Sequence, residues 1–506
     1  MAMAMTSGSL LLGLLAQQAA GQLLVPHSPP AGASEPVPKG ASSFSIEFSS
    51  VVDYFGNTTH PNEYSQNLLF NLKNATGAFP KIRIGGTTQD RAFYNPNQNA
   101  AINLTYETPT DDQPIKVTYG PDFFQSYHAI PGLEFSYGLN LAYNGSDQST
   151  QLSSAAAAAC KNMGSALSLS ELGNEPDFYP GYPSYNRPPN WTMTEYIREW
   201  NWKTGVVTKA MEKECPGVNV RFVAPSFIWS NCELRPCKRR YGVDANGCSY
   251  MDTDCEERYG LTDLSMQSLL MNHTGVVGSL AVHLDAARDL SYLGLPYTLS
   301  EVNGMALQGG AWTWSMGSAL WVVDFALWST TNNIKRINFH QGTGYRYVAW
   351  QPVPVDGAEP NTRPPYYGQI MVAHALGNSN STRLANIPLP SDTESAYAVY
   401  HNELLSRLVA LNLEAWYANS TTTRPSKEYT FRIPGRYTTA NVLRFMGPGA
   451  DARSNLTFDG VSYDYELGGG KPVVVDEMGK KERVHVKDGM VRIEVPASSG
   501  AILVLR

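Results

Sequence analysis

Two acidic positions in the chain have surroundings that suit acid–base chemistry. Asn174 and Glu175 come just past a predicted strand, where Pro176 ends the pairing of that strand with its neighbours. Glu301 also lies at the end of a predicted strand. Two carboxyl groups on opposite strands of one rim suit the hydrolysis of a glycosidic bond, because one protonates the departing oxygen while the other attacks the sugar carbon.

The elements that must position these residues alternate between short apolar strands and helical stretches up to about residue 376, which predicts parallel strands and crossover helices. The predicted strands are Phe44–Phe48, Lys81–Ile84, Leu133–Leu141, Ala166–Leu172, Val220–Ala224, Tyr297–Glu301 and Ile334–His340. Their number, seven, is close to the eight strands of a (β/α)8 TIM barrel. The active sites of such barrels lie at the carboxyl ends of the strands. A doubly wound sheet is the alternative.

The sixth barrel strand is not evident. The stretch from Ser230 to Asp263 is polar and rich in Cys, with no apolar run of strand length. Val276–Val282 fits the sixth strand and fits equally well the first turns of a helix that ends at Gly294. An earlier helix is better marked, because Thr192 and Glu195 form a capping-box pattern.

From Arg383 onward the pattern contains strands only, which predicts a C-terminal antiparallel β-sandwich. These strands are Ala396–Tyr400, Leu408–Leu413, Tyr429–Ile433, Ala440–Phe445, Lys471–Val475, Val491–Val495 and Ala501–Leu505. We therefore divide the chain into a signal peptide (1–21), a leader (22–40), a catalytic barrel (41–380) and the sandwich (381–506).

Composition limits the partners. The 506 residues include 38 Lys plus Arg against 45 Asp plus Glu, which gives a net charge of −7. There is no extended basic stretch, so we expect neither a nucleic-acid binder nor a protein of anionic membrane surfaces. The sequence does not indicate an oligomeric state.

The N-terminus and the sequons predict export. An apolar run at Ser9–Ala16 is followed by the small residues Ala19, Ala20 and Gly21, a pattern typical of a secretory signal and too short to span a bilayer. Nine Asn-x-Ser/Thr sequons fit a secreted, extracellular glycoprotein: Asn57, Asn74, Asn103, Asn144, Asn190, Asn272, Asn380, Asn419 and Asn455.

Six cysteines also fit an oxidising compartment. They are Cys160, Cys215, Cys232, Cys237, Cys248 and Cys255. The spacing of the last four matches no zinc template, so local disulfides are favoured over a metal site, with the pairing left open.

In combination and in order, several motifs resemble glycoside hydrolase family 79, the β-glucuronidases and heparanases within the clan of retaining (β/α)8 hydrolases. The resemblance covers roughly residues 41–506, and the chain looks like a fungal member of the family. The motifs are Ile82–Asp90, Leu172–Pro176, Ser300–Asn303, Phe339–Tyr345, Trp350–Pro352 and Pro364–Gly368.

The resemblance implies a role for each matching residue. Glu175 corresponds to the acid/base and Glu301 to the nucleophile, while Asn174 would hydrogen-bond the sugar 2-hydroxyl. Gly309, Gly310 and Tyr345 match the residues with which the family binds the C6 carboxylate of a uronic acid. Bare glycine amides suit that task because they approach an anion closely. No metal or cofactor is implied.

Four further residues have two interpretations each. Glu47 and Thr87 fall where the family contacts the remaining sugar hydroxyls, and each fits equally well as a polar group at a strand end. His340 and Gln341 either orient Glu301 or pack at the end of the last barrel strand.

The implied activity is that of a retaining exo-β-glucuronidase, which would remove terminal glucuronic acid or its 4-O-methyl ether from a glycan by double displacement. Two alternatives stay open. One is a glycosidase of the same clan that acts on a neutral sugar. The other is a non-catalytic glycan-binding relative that keeps the fold.

Overall fold

The computed structural model describes residues 22–181, 185, 187–227, 265–305 and 311–506. The predicted signal peptide, the two glycines Gly309 and Gly310, and the cysteines at 232, 237, 248 and 255 lie outside the described residues. None of the helices found within these ranges combines the length and the apolar character needed to cross a bilayer.

Seven parallel strands form one curled sheet that carries the site. Their order across the sheet is Thr298–Val302, Arg336–Gln341, Ser42–Glu47, Ile82–Gly85, Phe135–Leu139, Leu167–Leu172 and Phe222–Val223. The last of these strands along the chain lies beside the first, with Phe339 paired to Phe44. This cyclic order is that of a (β/α)8 barrel, which confirms the predicted fold class, whereas a doubly wound sheet would reverse its order.

The stretch Val276–Val282, for which both a strand and a helix were predicted, lies in a helix over His273–Asp289. The Asn272 side chain caps this helix by accepting a hydrogen bond from the Gly275 amide at 2.9 Å. No strand occurs among the described residues between Val223 and Thr298. The Cys-rich stretch, residues 230–263, lies wholly outside the described ranges.

The remaining helices cover the barrel and meet the second domain. They are Val51–Phe55, Glu63–Thr76, Gln148–Met163, Met193–Glu214, Met266–Leu269, Met316–Thr331, Pro364–Leu376 and Tyr465–Gly468. Met193–Glu214 starts with the predicted Thr192–Glu195 capping box. Met316–Thr331 is buried almost all round, as expected of an apolar helix enclosed between two layers.

The second domain contains two sheets. The larger sheet is antiparallel, as predicted, whereas the smaller sheet has one antiparallel pair and one strand that pairs in parallel. The larger sheet contains Thr382–Asn386, Glu394–His401, Leu404–Asn412, Thr439–Met446, Thr457–Phe458, Val461–Ser462, Val473–Val474, Arg483–His485 and Ser499–Leu505. The smaller sheet joins Ser426–Arg432 and Met490–Pro496 to Gln22–Leu24. The segment predicted as a leader therefore adds a strand to this domain.

A small three-stranded sheet is inserted after the second barrel strand. It consists of Ala92–Tyr94, Ile102–Thr105 and Lys116–Tyr119 and is called here the inserted sheet. The sequence pattern did not predict it, because its strands are short. A two-stranded ribbon, Trp350–Gln351 with Asn361–Thr362, follows the last barrel strand.

Candidate active site

Arg83 lies at the centre of the rim, on the strand Ile82–Gly85, with only 3% of its side chain exposed. Its Nε donates to Glu171 Oε2 at 2.6 Å, and its Nη2 donates to Glu171 Oε1 at 3.1 Å. The Glu171 side chain is fully buried on the strand Leu167–Leu172. Because a guanidinium fork matches a carboxylate in this two-point geometry, the pair fixes the plane of Arg83.

The same guanidinium joins the two segments for which chemistry was predicted. Nη1 of Arg83 donates to Glu301 Oε2 at 2.5 Å, and Nη2 donates to Asn174 Oδ1 at 2.7 Å. A further bond runs from Nη1 to Ser45 Oγ at 2.9 Å. The predicted nucleophile and the residue before the predicted acid are therefore held by one rigid cation.

Glu175 has a backbone conformation that is uncommon outside glycine, with φ at 47°. Its amide donates to the Ser226 carbonyl at 3.0 Å, and Ser226 Oγ in turn donates to Glu171 Oε1 at 2.5 Å. Burial raises the pKa of Glu175 well above its ordinary value of 4.5, and the neighbouring charges of Glu301 and Asp177 raise it further. This environment favours the protonated form of the carboxyl group, which suits the role of an acid.

Asp90 holds the turn that carries Asn174. Its Oδ2 accepts from the Asn174 amide at 2.8 Å and from the Tyr179 hydroxyl at 2.6 Å. Its Oδ1 accepts from the Leu141 amide at 3.0 Å. Burial raises the pKa of Asp90 to about 6, against the opposing effect of these hydrogen bonds.

Glu47 and His340 form a second polar pair beside the nucleophile position. His340 Nε2 lies 3.0 Å from Glu47 Oε2 and 3.7 Å from Glu301 Oε1. Burial alone would lower the pKa of His340, but the charge of Glu301 and the Glu47 contact outweigh it and raise the pKa. Burial would likewise raise the pKa of Glu47, yet the hydrogen bonds from His340 and Thr88 leave it lowered. Both neighbouring carboxyl groups therefore favour the cationic form of His340.

The other predicted positions are spread around this pair. Thr87 is half-buried at the start of a 3-10 turn, and the neighbouring Thr88 donates its amide and hydroxyl to Glu47 Oε1 at 2.7 and 2.5 Å. Gln341 bonds the backbone, donating to the His340 carbonyl at 2.6 Å and accepting from the Ala349 amide at 2.7 Å. The contacts of Gln341 therefore brace the chain around His340.

Tyr345 is buried against Glu47, and its hydroxyl donates to Glu47 Oε2 at 3.2 Å. Tyr347, two residues further on, was not predicted. Burial raises the pKa of Tyr347 well above its ordinary value, and the charges of Glu301, Glu47 and Glu175 add to the effect. The Tyr347 hydroxyl therefore lies within the electrostatic influence of all three carboxyl groups.

Sequence reasoning missed four residues of the site: Arg83, Asp90, Glu171 and Tyr347. A signal for two of them was present, because Arg83 and Glu171 are charged residues inside predicted strands. Such residues are almost never fully buried unless they are paired. Throughout the described ranges, no group of three or more His, Cys, Asp or Glu side chains is arranged to hold a metal ion.

The chain is similar to known proteins over most of its length. Residues 396–502 match the family described as "Glycosyl hydrolase family 79 C-terminal beta domain". A β-glucuronidase of Aspergillus niger is 39% identical over 505 residues, covering 95% of this chain and 93% of that protein. A β-glucuronidase of Neurospora crassa is 34% identical, covering 90% of each.

Among solved structures, a 4-O-α-L-rhamnosyl-β-D-glucuronidase from Fusarium oxysporum, in complex with Rha-GlcA, has a TM-score of 0.75 at 22% identity. The match covers 96% of this chain and 100% of that one. At this identity the likeness concerns the fold alone, and it extends over both the barrel and the second domain.

Proposed function

The chain belongs to glycoside hydrolase family 79, and from this premise we propose that it is a retaining exo-β-glucuronidase. Its substrate would be terminal β-linked glucuronic acid, or the 4-O-methyl ether of that sugar, on a glycan. The observation that carries the proposal is the single Arg83 guanidinium that holds both Glu301 and Asn174, the residue next to Glu175. This arrangement supports a nucleophile and an acid at one rim.

In the first step Glu301 attacks the anomeric carbon while Glu175 gives its proton to the departing oxygen, which leaves a covalent glycosyl-enzyme. Arg83 and His340 hold the Glu301 carboxylate in place for this attack. In the second step Glu175, now ionised, takes a proton from water, and the water oxygen displaces Glu301. Two inversions give overall retention at the anomeric carbon.

Substrate binding would use the polar groups that the contacts of Arg83 leave available. Asn174 Oδ1 is taken by Arg83, which leaves the Asn174 NH₂ group to donate to the sugar 2-hydroxyl. Glu47 and Thr87 would contact the other hydroxyls, while Gly309, Gly310 and Tyr345 would bind the C6 carboxylate. Export is part of the proposal, supported by the nine sequons and by the disulfide Cys160–Cys215, since disulfides persist in oxidising compartments.

The test uses purified protein with nitrophenyl β-glucuronide and nitrophenyl β-glucoside, in parallel with Glu175→Gln and Glu301→Gln. We expect the glucuronide to be cleaved faster, the β-anomer of glucuronic acid to appear first by proton NMR, and Glu301→Gln to be inactive. Glu428→Gln, which makes the same change at an exposed position of the second domain, is the matched control.

Each rival predicts a different result in this assay. Faster cleavage of the glucoside would identify a glycosidase for neutral sugars. Glucuronide binding without hydrolysis, unaffected by Glu301→Gln, would identify a non-catalytic glycan-binding protein. Activity that survives in Glu301→Gln would remove Glu301 from the role of nucleophile.

A further inference from the structure

The inserted sheet contributes a residue to the site. The connection between its strands Ile102–Thr105 and Lys116–Tyr119 carries Gln113, whose Nε2 donates to the Tyr345 hydroxyl oxygen at 2.7 Å. The two residues are 232 positions apart in the chain. The contact therefore depends on how the inserted sheet packs over the rim.

This connection is held in place by its own bonds. Asp111 accepts from the Thr108 amide at 2.7 Å and from the Thr108 hydroxyl at 2.8 Å. The Pro114 carbonyl accepts from Arg91 Nη1 at 2.9 Å. Because hydrogen bonds fix the chain on both sides of Gln113, its side-chain amide is held in position to contact Tyr345.

The direction of the hydrogen bond decides what Tyr345 can do. A phenol has one proton to give, and its oxygen can also accept. Gln113 occupies the accepting side, so the Tyr345 proton must point to another acceptor. That acceptor is Glu47 Oε2 at 3.2 Å, a long contact compared with about 2.7–2.8 Å for a typical O–H···O bond.

The long contact has a cause. Glu47 Oε2 is shared with His340 Nε2 at 3.0 Å, so Tyr345 is a secondary donor to it. A more favourable acceptor brought in by a substrate would take over the Tyr345 proton. A carboxylate is such an acceptor because it is charged and carries no proton of its own.

We propose that Gln113 is a specificity-determining positioning residue, which keeps Tyr345 oriented as a donor and thereby favours a C6 carboxylate over a C6 hydroxymethyl group. A hydroxymethyl group both gives and accepts hydrogen bonds, and Gln113 blocks the arrangement in which Tyr345 accepts. This inference rests on the proposed function and on the assignment of Tyr345 to carboxylate recognition.

The test compares kcat/KM on nitrophenyl β-glucuronide and β-glucoside for Gln113→Leu and Gln113→Glu. Gln113→Leu removes one hydrogen bond, and the glucuronide-to-glucoside ratio should fall by about tenfold. Gln113→Glu should lower it by about a hundredfold or more, because the new carboxylate accepts the Tyr345 proton and repels the hexuronate. Most of the loss should appear in KM for the glucuronide, with the glucoside constants nearly unchanged.

Two controls separate this role from mere support of the fold. Gln98→Glu makes the same charge change beside the inserted sheet, where Gln98 Nε2 bonds the Ala100 and Thr118 carbonyls, and it should leave the ratio unchanged. In a Tyr345→Phe background, Gln113→Leu should have no additional effect, since residues acting through one contact are not additive.

The outcomes are distinct. A wild-type protein that prefers the glucoside would overturn the proposed function and this inference with it. A wild-type preference for glucuronide with an unchanged ratio in both Gln113 variants would overturn this inference alone. So would an equal change caused by Gln98→Glu, or a full Gln113→Leu effect in the Tyr345→Phe background.

Discussion

Replacing Arg83 by Met should damage stability and catalysis through two separable sets of contacts. On one side the substitution leaves the fully buried carboxyl group of Glu171 without its cation. Removal of one partner of a buried ion pair costs about 3–5 kcal/mol of the free energy of unfolding. On the other side Glu301 and Asn174 lose their bonds of 2.5 and 2.7 Å.

The catalytic loss follows from those two bonds. Hydrogen bonds to charged groups contribute about 1.5–3 kcal/mol each, so a loss of about 3 kcal/mol is a modest figure for the pair and corresponds to roughly a hundredfold in kcat. The assay pairs kcat on nitrophenyl β-glucuronide with the temperature of thermal unfolding, recorded at one scan rate because unfolding of a chain with two domains is often irreversible.

The double variant Arg83→Met/Glu171→Gln tells the two effects apart. Taking away the unpaired charge should restore much of the thermal stability, because neither partner of the pair then remains buried and charged. It should restore none of the activity, since Glu301 and Asn174 still lack their donor. Recovery of both properties together would refute the reasoning, because Arg83 would then act only as a structural residue.

Three other predictions concern pH and covalent structure. Burial lowers the pKa of His273, but its 2.9 Å contact with Asp324 outweighs this effect and raises the pKa above 6.5. The stability that this pair contributes is therefore complete below about pH 6.5 and is lost as pH rises through the raised pKa. The melting temperatures of the wild type and His273→Asn should differ most in acid and converge in alkali. Because Glu175 would act in its protonated form and its pKa is raised, the alkaline limb of the pH–activity profile should follow that pKa, and Glu175→Gln should abolish this limb on an activated aryl glucuronide. Replacing Cys160 and Cys215 by Ser opens a cross-link between positions 55 residues apart and should cost about 4 kcal/mol of unfolding free energy, seen as a lower melting temperature.

The sequence pattern predicted the barrel strands closely because each is a short apolar run between polar turns. The predicted strand Ala166–Leu172 corresponds to Leu167–Leu172, and Ile334–His340 corresponds to Arg336–Gln341. The seven strands predicted in the C-terminal part of the chain each correspond to an observed strand for the same reason. The local pattern could not distinguish a strand from a helix at Val276–Val282, where the structure has a helix capped by the Asn272 side chain.

Other features depend on contacts that no local pattern encodes. The strand Gln22–Leu24 finds its partner at Thr430–Arg432, about 400 positions away. The inserted sheet has strands of three or four residues, which are too short to show a period. Gln113 belongs to the site only through that sheet. Pairing between segments this far apart in the chain cannot be predicted from local sequence patterns.

The two predicted catalytic carboxyl groups differ because their neighbours differ. Glu301 receives a hydrogen bond from Arg83 and has His340 at 3.7 Å, so cations surround it. Glu175 has Glu301 and Asp177 as the strongest charges acting on it after burial, and both oppose its ionisation. The two environments therefore suit the opposite roles proposed for these residues, a nucleophile beside two basic side chains and an acid whose ionisation is opposed. Arg83 opposes the raised pKa of Glu175 as well as bonding Glu301, so its guanidinium acts on both carboxyl groups.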